Sequence, residues 1–198
     1  MNHPNRLAQL CVLLAAAWFA FWACAPMLSS PTSRPMAESA RGEFGLGMGG
    51  GAALDGGQFS RGQGSFWIRK QSNFGGHEWG GAAQVGIPGI LSGGMFYRWN
   101  LVPASAGTFG LQIEGGLPYF GLRLPIAVPL SMENKSWLTL QPGVAISGLS
   151  IERRVPVGFS ARVGENTHLE QEVGVMWSEG FATSGPELYG GLHLQQQF

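Results

Sequence analysis

Long stretches of this chain alternate between apolar and polar residues, and the C-terminal stretch shows the alternation most clearly. Its even positions include Leu188, Gly190, Leu192, Leu194 and Phe198, and its odd positions include Glu187, Tyr189, His193, Gln195 and Gln197. A period of two places successive side chains on opposite faces of an extended strand. The stretch is therefore predicted to be a β-strand with one face in an apolar medium and the other in water.

Ten segments of this kind can be placed between Glu43 and Phe198, separated by turn-like breaks. They are residues 43–54, 64–72, 77–87, 93–102, 107–117, 119–130, 136–146, 151–163, 167–177 and 187–198, and most are ten to thirteen residues long. A tilted membrane strand needs about 9–11 residues, whereas strands of soluble proteins most often have about 5–6. The segment lengths therefore favour a membrane-spanning sheet over an immunoglobulin-like sandwich.

The composition fits a surface that largely avoids water. Charged residues make up 12% of the chain, about half of the roughly 25% typical of soluble domains. Mean hydropathy is only +0.07, and the one long apolar run is N-terminal, so a helical-bundle membrane protein is not expected. The formal net charge of zero provides no electrostatic footprint for a nucleic-acid partner.

The long two-faced strands, and the aromatic residue that ends the last of them, resemble the small outer-membrane β-barrels of bacteria. The resemblance implies an all-β fold, a closed antiparallel up-and-down transmembrane β-barrel of about ten strands, with eight as the alternative number. It also implies a location in the bacterial outer membrane, contact with outer-membrane lipid, and recognition of the C-terminal strand and Phe198 by the barrel-assembly machinery. Gln196 departs from the family, which usually has a hydrophobic or aromatic residue at the third-last position.

The chain is expected to divide into three parts. Residues 1–24 hold the apolar run and are predicted to be a signal peptide or a lipoprotein signal. The four residues that end at Cys24 resemble a lipobox, which implies lipidation of Cys24; an ordinary cleaved signal and an uncleaved anchor are the alternatives. Residues 25–42 are rich in Pro, Ser and Ala and are predicted to be a disordered tether. Residues 43–198 are predicted to form the barrel.

Aromatic residues on the apolar faces fall near the ends of the predicted strands. They are Trp79, Trp99, Phe109, Phe120, Trp177 and Phe198. Amphipathic rings are stable at the boundary between lipid headgroups and hydrocarbon, where membrane barrels carry aromatic girdles. A membrane girdle is favoured over the alternative, the core aromatics of a sandwich, which lie more often in the middle of strands.

Charged residues of both signs share the polar faces and are predicted to form ion pairs in the barrel lumen. They are Arg69, Arg98, Glu114, Arg123, Glu152, Arg154, Arg162, Glu170 and Glu172. A two-residue turn at Pro118-Tyr119 would place Glu114 opposite Arg123, and a turn near Gly164 would place Arg162 diagonal to Glu170. Barrels of about eight strands are filled by their side chains, whereas about 16 strands leave an aqueous channel. Ten strands therefore favour a filled lumen.

The expected role is non-enzymatic, either structural or in surface interaction, with the connections 55–63 and 178–186 facing outward from the cell. Two alternatives are a narrow passive pore for small solutes and a lipid-modifying enzyme. Ser160, His168 and Glu170 are the grouping that neighbouring strands could assemble for catalysis, but no Gly-x-Ser-x-Gly signature accompanies them. No catalytic residue, cofactor or metal is predicted, since no His/Cys/Asp cluster has ligand spacing.

Four prolines within the predicted strands are the main objection to a barrel. They are Pro125, Pro129, Pro142 and Pro156. Proline lacks the backbone donor of a sheet ladder and is normally confined to edges and bulges. Because a closed barrel has no edge, these positions are expected to be bulges or to lie close to a rim.

Overall fold

The structure is a computed structural model. It describes residues 33–37, 40–55, 59–72, 76–87, 90–102, 107–117, 119–131, 135–147, 150–179 and 185–198. The predicted signal at 1–24, with Cys24, and residues 25–32 of the predicted tether lie outside the described residues. No helix within the described ranges is long and apolar enough to cross a membrane.

The described chain is organised as β-strands in an antiparallel meander. They are β1 (Gly42–Ala53), β2 (Phe59–Gln71), β3 (His77–Ile87), β4 (Ile90–Asn100), β5 (Thr108–Leu117), β6 (Tyr119–Arg123), β7 (Ile126–Ser131), β8 (Ser136–Leu140), β9 (Gly143–Ser147), β10 (Ser150–Arg162), β11 (Thr167–Glu179) and β12 (Gly185–Gln197). Each strand pairs antiparallel with its neighbours in the wall.

The sheet closes on itself through its first and last strands. β1 pairs with β2 on one side and with β12 on the other, and the β1–β12 ladder runs from Glu43 opposite Gln197 to Ala53 opposite Glu187. Closure leaves no exposed sheet edge, so backbone donors and acceptors are satisfied within the wall. The predicted closed, antiparallel, up-and-down barrel is confirmed.

The wall contains ten strands, two of which are interrupted by proline. The predicted segment 119–130 is divided into β6 and β7 at Pro125, and the segment 136–146 into β8 and β9 at Pro142. β5 pairs with both β6 and β7, and β10 pairs with both β8 and β9. The two short pairs therefore occupy one wall position each, as the ten-strand prediction requires.

The prolines are accommodated by breaks rather than mainly by bulges. Pro125 and Pro142 lie between strands, and Pro156 continues β10 beside the Pro142 break; these three form the proline row. Of the four prolines, only Pro129 lies at a register shift, in the β7–β8 ladder. The proline carbonyls still accept hydrogen bonds across the wall, from Gly110 to Pro125 (3.0 Å), Leu124 to Pro142 (2.9 Å) and Gln141 to Pro156 (3.3 Å).

The two faces of the wall differ as the alternation predicts. In β10, Val155, Val157 and Phe159 project outward and are 41–49% exposed, whereas the polar side chains of the opposite face, Glu152, Arg154 and Ser160, are buried. The barrel interior is so crowded that some inward positions have no room for a larger side chain. A Cβ added at Gly45 would lie 2.3 Å from the ring of Trp67, whose side chain is fully buried in the lumen.

The barrel has a proximal end, where β1 begins and β12 ends, and an opposite distal end. The predicted outward connections 55–63 and 178–186 are shorter than expected, because β2 begins at Phe59 and β11 continues to Glu179. Five residues separate β1 from β2, and five separate β11 from β12. These two distal connections are therefore short.

A charge placed halfway along the outward face tests whether that face contacts lipid. Val157→Arg is expected to lower the free energy of unfolding by about 2–4 kcal/mol, and Val163→Arg, beyond the end of β10, by about 0–1 kcal/mol. Both side chains project outward, so packing differences are small. Urea unfolding in lipid vesicles measures the difference, and equal losses for the two variants would contradict a lipid-facing wall.

Candidate functional site: the charged lumen

The proximal half of the lumen contains a chain of buried ion pairs. Arg69 Nη2 lies 2.8 Å from Glu43 Oε1, and Arg69 Nη1 lies 2.8 Å from Glu78 Oε2. The chain continues to Arg98, whose Nη1 is 3.2 Å from Glu78 Oε2. These side chains are at most 3% exposed. Arg69 therefore joins two carboxylates, and Glu78 joins two guanidinium groups.

The strand register explains why these residues meet. Glu43 is directly opposite Arg69 in the β1–β2 ladder, and Glu78 is directly opposite Arg98 in the β3–β4 ladder. All four positions have inward parity and lie near the proximal ends of their strands. Cross-strand neighbours on one face lie about 4.5–5.5 Å apart at their Cβ atoms, which brings opposite charges into contact.

The N-terminal segment Ser33–Ala37 enters this charged region. Ser33, Arg34 and Met36 are buried, and Arg34 Nη2 forms an ion pair with Glu43 and donates to Gln195 Oε1 at 3.2 Å. The Arg34 carbonyl accepts from Arg69 Nη2 at 2.9 Å. These five residues were predicted to be part of a disordered tether, and that prediction is wrong for them. Their order depends on partners contributed by several strands.

Arg34 also extends the network towards β11. Gln195 accepts from Arg34 and donates its Nε2 to Glu170 Oε2 at 2.8 Å, while Thr139 donates to Glu170 Oε1 at 2.8 Å. Gln197 donates to Glu43 at 2.9 Å. Three carboxylates (Glu43, Glu78 and Glu170) thus share one network with three guanidinium groups (Arg34, Arg69 and Arg98). The N-terminal segment supplies one of the three cations.

Glu114 and Arg123 form a further buried pair nearer the middle of the lumen. Arg123 Nε lies 2.7 Å from Glu114 Oε1. The register differs from the prediction, since Glu114 lies opposite Gly121 and Arg123 lies opposite Gln112. The pair is therefore diagonal. A Cβ at Gly121 would lie 2.8 Å from the Glu114 carboxylate, so the absence of a side chain there makes room for the contact.

The other predicted lumen residues have mixed placements. Glu152 and Arg154 are buried, and Glu172 Oε1 lies 3.4 Å from His193 Nε2. Arg162 lies opposite His168 as expected, but its side chain is exposed and its Nε donates to the Gly164 carbonyl at 2.8 Å. Its assignment to a lumen ion pair with Glu170 is wrong, because the strand ends at Arg162 and the side chain turns to the connection.

Ser160, His168 and Glu170 are brought to adjacent strands. Ser160 is directly opposite Glu170, and all three residues are at most 4% exposed. Within the part of the chain that the structure describes, Ser160 Oγ and His168 Nδ1 have no hydrogen-bond partner, whereas an activated nucleophile is hydrogen-bonded to its base. Both Glu170 oxygens accept from other side chains. Among the described residues, no group of three His, Cys, Asp or Glu could hold a metal ion.

The predicted girdle residues all project outward, with 40–52% of each side chain exposed. Trp79, Trp99, Phe109 and Phe198 lie near the proximal end, and Phe120 and Trp177 lie nearer the distal end. His77 packs beside Trp99 with ring centroids 5.8 Å apart and hydrogen bonds to Tyr97. These positions are suited to two girdles of aromatic side chains, one at each membrane interface. Contact of these side chains with lipid headgroups remains a prediction.

Comparison with known proteins assigns this chain to no protein family. No protein-family model matches the sequence, and no curated protein matches it. Solved structures do match, among them the crystal structure of Neisserial surface protein A (NspA), at 13% identity and a TM-score of 0.37. That alignment covers 79% of this chain and 96% of that chain. A likeness of this size says nothing about function, and the barrel rests on the strand pairing of this chain.

Two residues at the centre of the network were not singled out from the sequence. Glu43 was missed because the many glycines of the first strand did not show which residues face inward. Phe44, Leu46 and Met48 nevertheless mark the even positions as outward. Arg34 lies in a segment without periodicity, so no sequence signal was available to place it.

Removing the cation that joins the two carboxylates is expected to destabilise the barrel. Arg69→Met should lower the free energy of unfolding by about 3–5 kcal/mol, because it leaves buried carboxylates without their shared partner. Arg162→Met is the matched control, since the Arg162 side chain is exposed at the end of β10 and contacts the following connection, where a surface substitution usually changes stability by about 0.5 kcal/mol or less. Urea unfolding in detergent measures both variants. Equal losses would contradict a stabilising role for the buried network.

Proposed function

We propose that this protein is a non-enzymatic outer-membrane β-barrel whose lumen is closed by its own charged side chains and N-terminal segment. Its role is structural or in contact with the cell surface. The observation that carries the proposal is the insertion of Arg34 among Glu43, Arg69 and Gln195. A solute path through the proximal half would have to displace a buried guanidinium group and the carboxylates around it.

The buried network opposes transport in a second way. Its charges are paired with each other at hydrogen-bond distance, from Glu43 through Arg69 and Glu78 to Arg98. Opening a path would expose unpaired charges in a poorly hydrated interior, which is costly. The network is therefore better suited to holding a closed barrel together than to conducting ions. This argument favours the filled lumen over the narrow pore.

The outward faces of the wall support the proposed outer-membrane location. Strands such as β10 and β12 present continuous apolar rows outward, and the wall has no edge. The proposed partners are outer-membrane lipid, which would cover these rows, and the barrel-assembly machinery, which would recognise β12 and Phe198. The short distal connections favour a structural role over adhesion, because they offer little surface to an outside partner.

Planar-bilayer recording tests the closed lumen. The wild-type protein is expected to show no stable conductance steps. Replacing residues 33–37 by five Gly and Ser residues should produce steps at least several-fold more often, because it removes Arg34 and the buried side chains beside it while keeping chain length.

Arg153→Gln is the control for this recording, since it changes an exposed charge on the outward face and should remain silent. Stable wild-type steps equal to those of the replaced segment would contradict the closed lumen and support the passive pore. Appearance of a lipid product that is lost on His168→Ala would instead support the enzyme alternative.

Lipidation of Cys24 is proposed as the anchor of the N-terminal segment. Nine residues from Cys24 to Ser33 span at most about 30 Å when extended, which is enough to connect a membrane surface to the proximal mouth. Mass spectrometry of the mature N-terminal peptide should find it beginning at an acylated Cys24, with the acyl mass absent after Cys24→Ala. A mature peptide that begins elsewhere would contradict this assignment.

A further inference from the structure

The proximal mouth of the lumen holds a guanidinium group that does not belong to the wall. Arg34 is 2% exposed, forms an ion pair with Glu43 and donates from Nη2 to Gln195 Oε1 at 3.2 Å. Its segment, Ser33–Ala37, belongs to no strand, and the β1–β12 ladder begins beyond it, at Glu43 opposite Gln197. The group that fills the site and the groups that form it are therefore separate parts of the fold.

The acceptors of the site are held in place by the wall itself. Glu43 Oε1 accepts from Arg69 Nε at 3.0 Å and from Arg69 Nη2 at 2.8 Å, and Glu43 Oε2 accepts from Gln197 at 2.9 Å. Gln195 donates its Nε2 to Glu170 at 2.8 Å, which directs its Oε1 towards the guanidinium site. Groups that are already oriented lose little conformational entropy when a ligand binds. The wall therefore presents a preorganised site.

The charges of the proximal network require a cation at this point. Without Arg34, the three carboxylates of the network would share two guanidinium groups, those of Arg69 and Arg98. Glu43 is fully buried, and a buried carboxylate without a compensating charge is costly. An emptied site would therefore favour a ligand with one positive charge.

The contacts of Arg34 indicate the arginine of a peptide as the matching ligand. Its Nη1 donates to the Pro35 carbonyl at 3.0 Å while its Nη2 contacts the wall, so the planar guanidinium group uses two of its nitrogens. A guanidinium group is also more weakly hydrated than an ammonium group, so it loses less on entering a dry site. The wall contacts the main chain as well, because the Arg34 carbonyl accepts from Arg69 Nη2 at 2.9 Å.

We propose that the proximal mouth is a binding site for an arginyl peptide, and that the protein's own segment 33–37 occupies it as a tethered ligand. The arginine of a peptide supplied from outside the chain enters between Glu43 and Gln195 when the segment is absent. The proposal rests on the proposed function in one respect, that this segment closes the proximal half of the lumen. It adds that the closing contact is a recognition site for one kind of side chain.

Fluorescence anisotropy with a labelled, capped peptide Ser-Arg-Pro-Met-Ala, the sequence of residues 33–37, tests the site. The receptor is the replaced-segment variant, the full chain in detergent with residues 33–37 replaced by five Gly and Ser residues. It should bind this peptide about ten-fold more tightly than a peptide with Lys in place of Arg, because an ammonium group is more strongly hydrated. The wild type should show little binding at micromolar peptide, because its tethered segment competes at an effective concentration on the order of mM.

A carboxylate variant tests where the peptide binds. Within the replaced-segment variant, Glu43→Gln should weaken peptide binding about ten-fold, because a charge-assisted hydrogen bond becomes a neutral one. Glu152→Gln is the matched control, since Glu152 is a buried lumen carboxylate at the distal end of β10. It should leave peptide binding unchanged.

Competition with N-ethylguanidinium distinguishes a peptide from a small guanidinium solute. Displacement of the labelled peptide only at a much higher concentration than that of unlabelled peptide supports the peptide assignment. Displacement at an equal concentration would overturn that assignment. Arg34→Gly gives a second measurement that does not need the replaced segment. N-ethylguanidinium should raise its urea midpoint and leave that of Arg162→Gly unchanged, because the Arg162 side chain is exposed; equal responses would overturn the site.

Two binding results would also overturn the proposal. They are equal affinity for the Arg and Lys peptides, and equal binding by the wild type and the replaced-segment variant. If the peptide does not bind while the replaced-segment variant still produces conductance steps, the peptide site alone is wrong. If those steps are absent as well, the closure of the lumen by segment 33–37 is also wrong.

Discussion

Backbone hydrogen bonding between β1 and β12 is the constraint on which the rest of the structure depends. The ladder from Glu43–Gln197 to Ala53–Glu187 turns an open sheet into a closed wall. In an apolar medium each unpaired backbone group is costly, so a sheet is stable there only when closed. Closure then creates the two environments of the protein, an outer surface that accepts Leu, Val and aromatic rings and an interior that must be filled with polar side chains.

Charged side chains in the barrel interior are paired with side chains of opposite charge. Arg69 between Glu43 and Glu78, with Arg98 next along the wall, leaves the proximal carboxylates in contact with cations. The wall does not supply all of the positive charge. Arg34 comes from outside the strands and supplies one of the cations of the network. This contribution ties the N-terminal segment to the barrel, and it makes closure of the lumen and stability of the wall depend on the same contacts.

The proline row shows how a closed sheet tolerates residues that cannot donate. Pro125 and Pro142 divide two strands, yet their carbonyls accept bonds from Gly110 and Leu124, so neighbouring strands stay joined. The sequence predicted that these prolines would disturb their strands, because proline cannot donate a hydrogen bond to a sheet ladder. Their alignment across adjacent strands was not predicted, because it depends on how the strands are staggered.

Sequence periodicity by itself determined the class of fold and the facing of most side chains, because a period of two assigns each residue to one face wherever the strand lies. It left the strand number open between ten and eight, and the strand pairing of the structure decided for ten. Periodicity placed Arg69, Arg98, Glu114 and Arg123 in the interior. Only the tertiary structure decided which of them meet. Facing does not specify register, so Glu114 and Arg123 pair diagonally and Arg162 leaves the lumen altogether. The position of Arg34 was also beyond the sequence, because its partners lie on three strands and no local pattern brings them together.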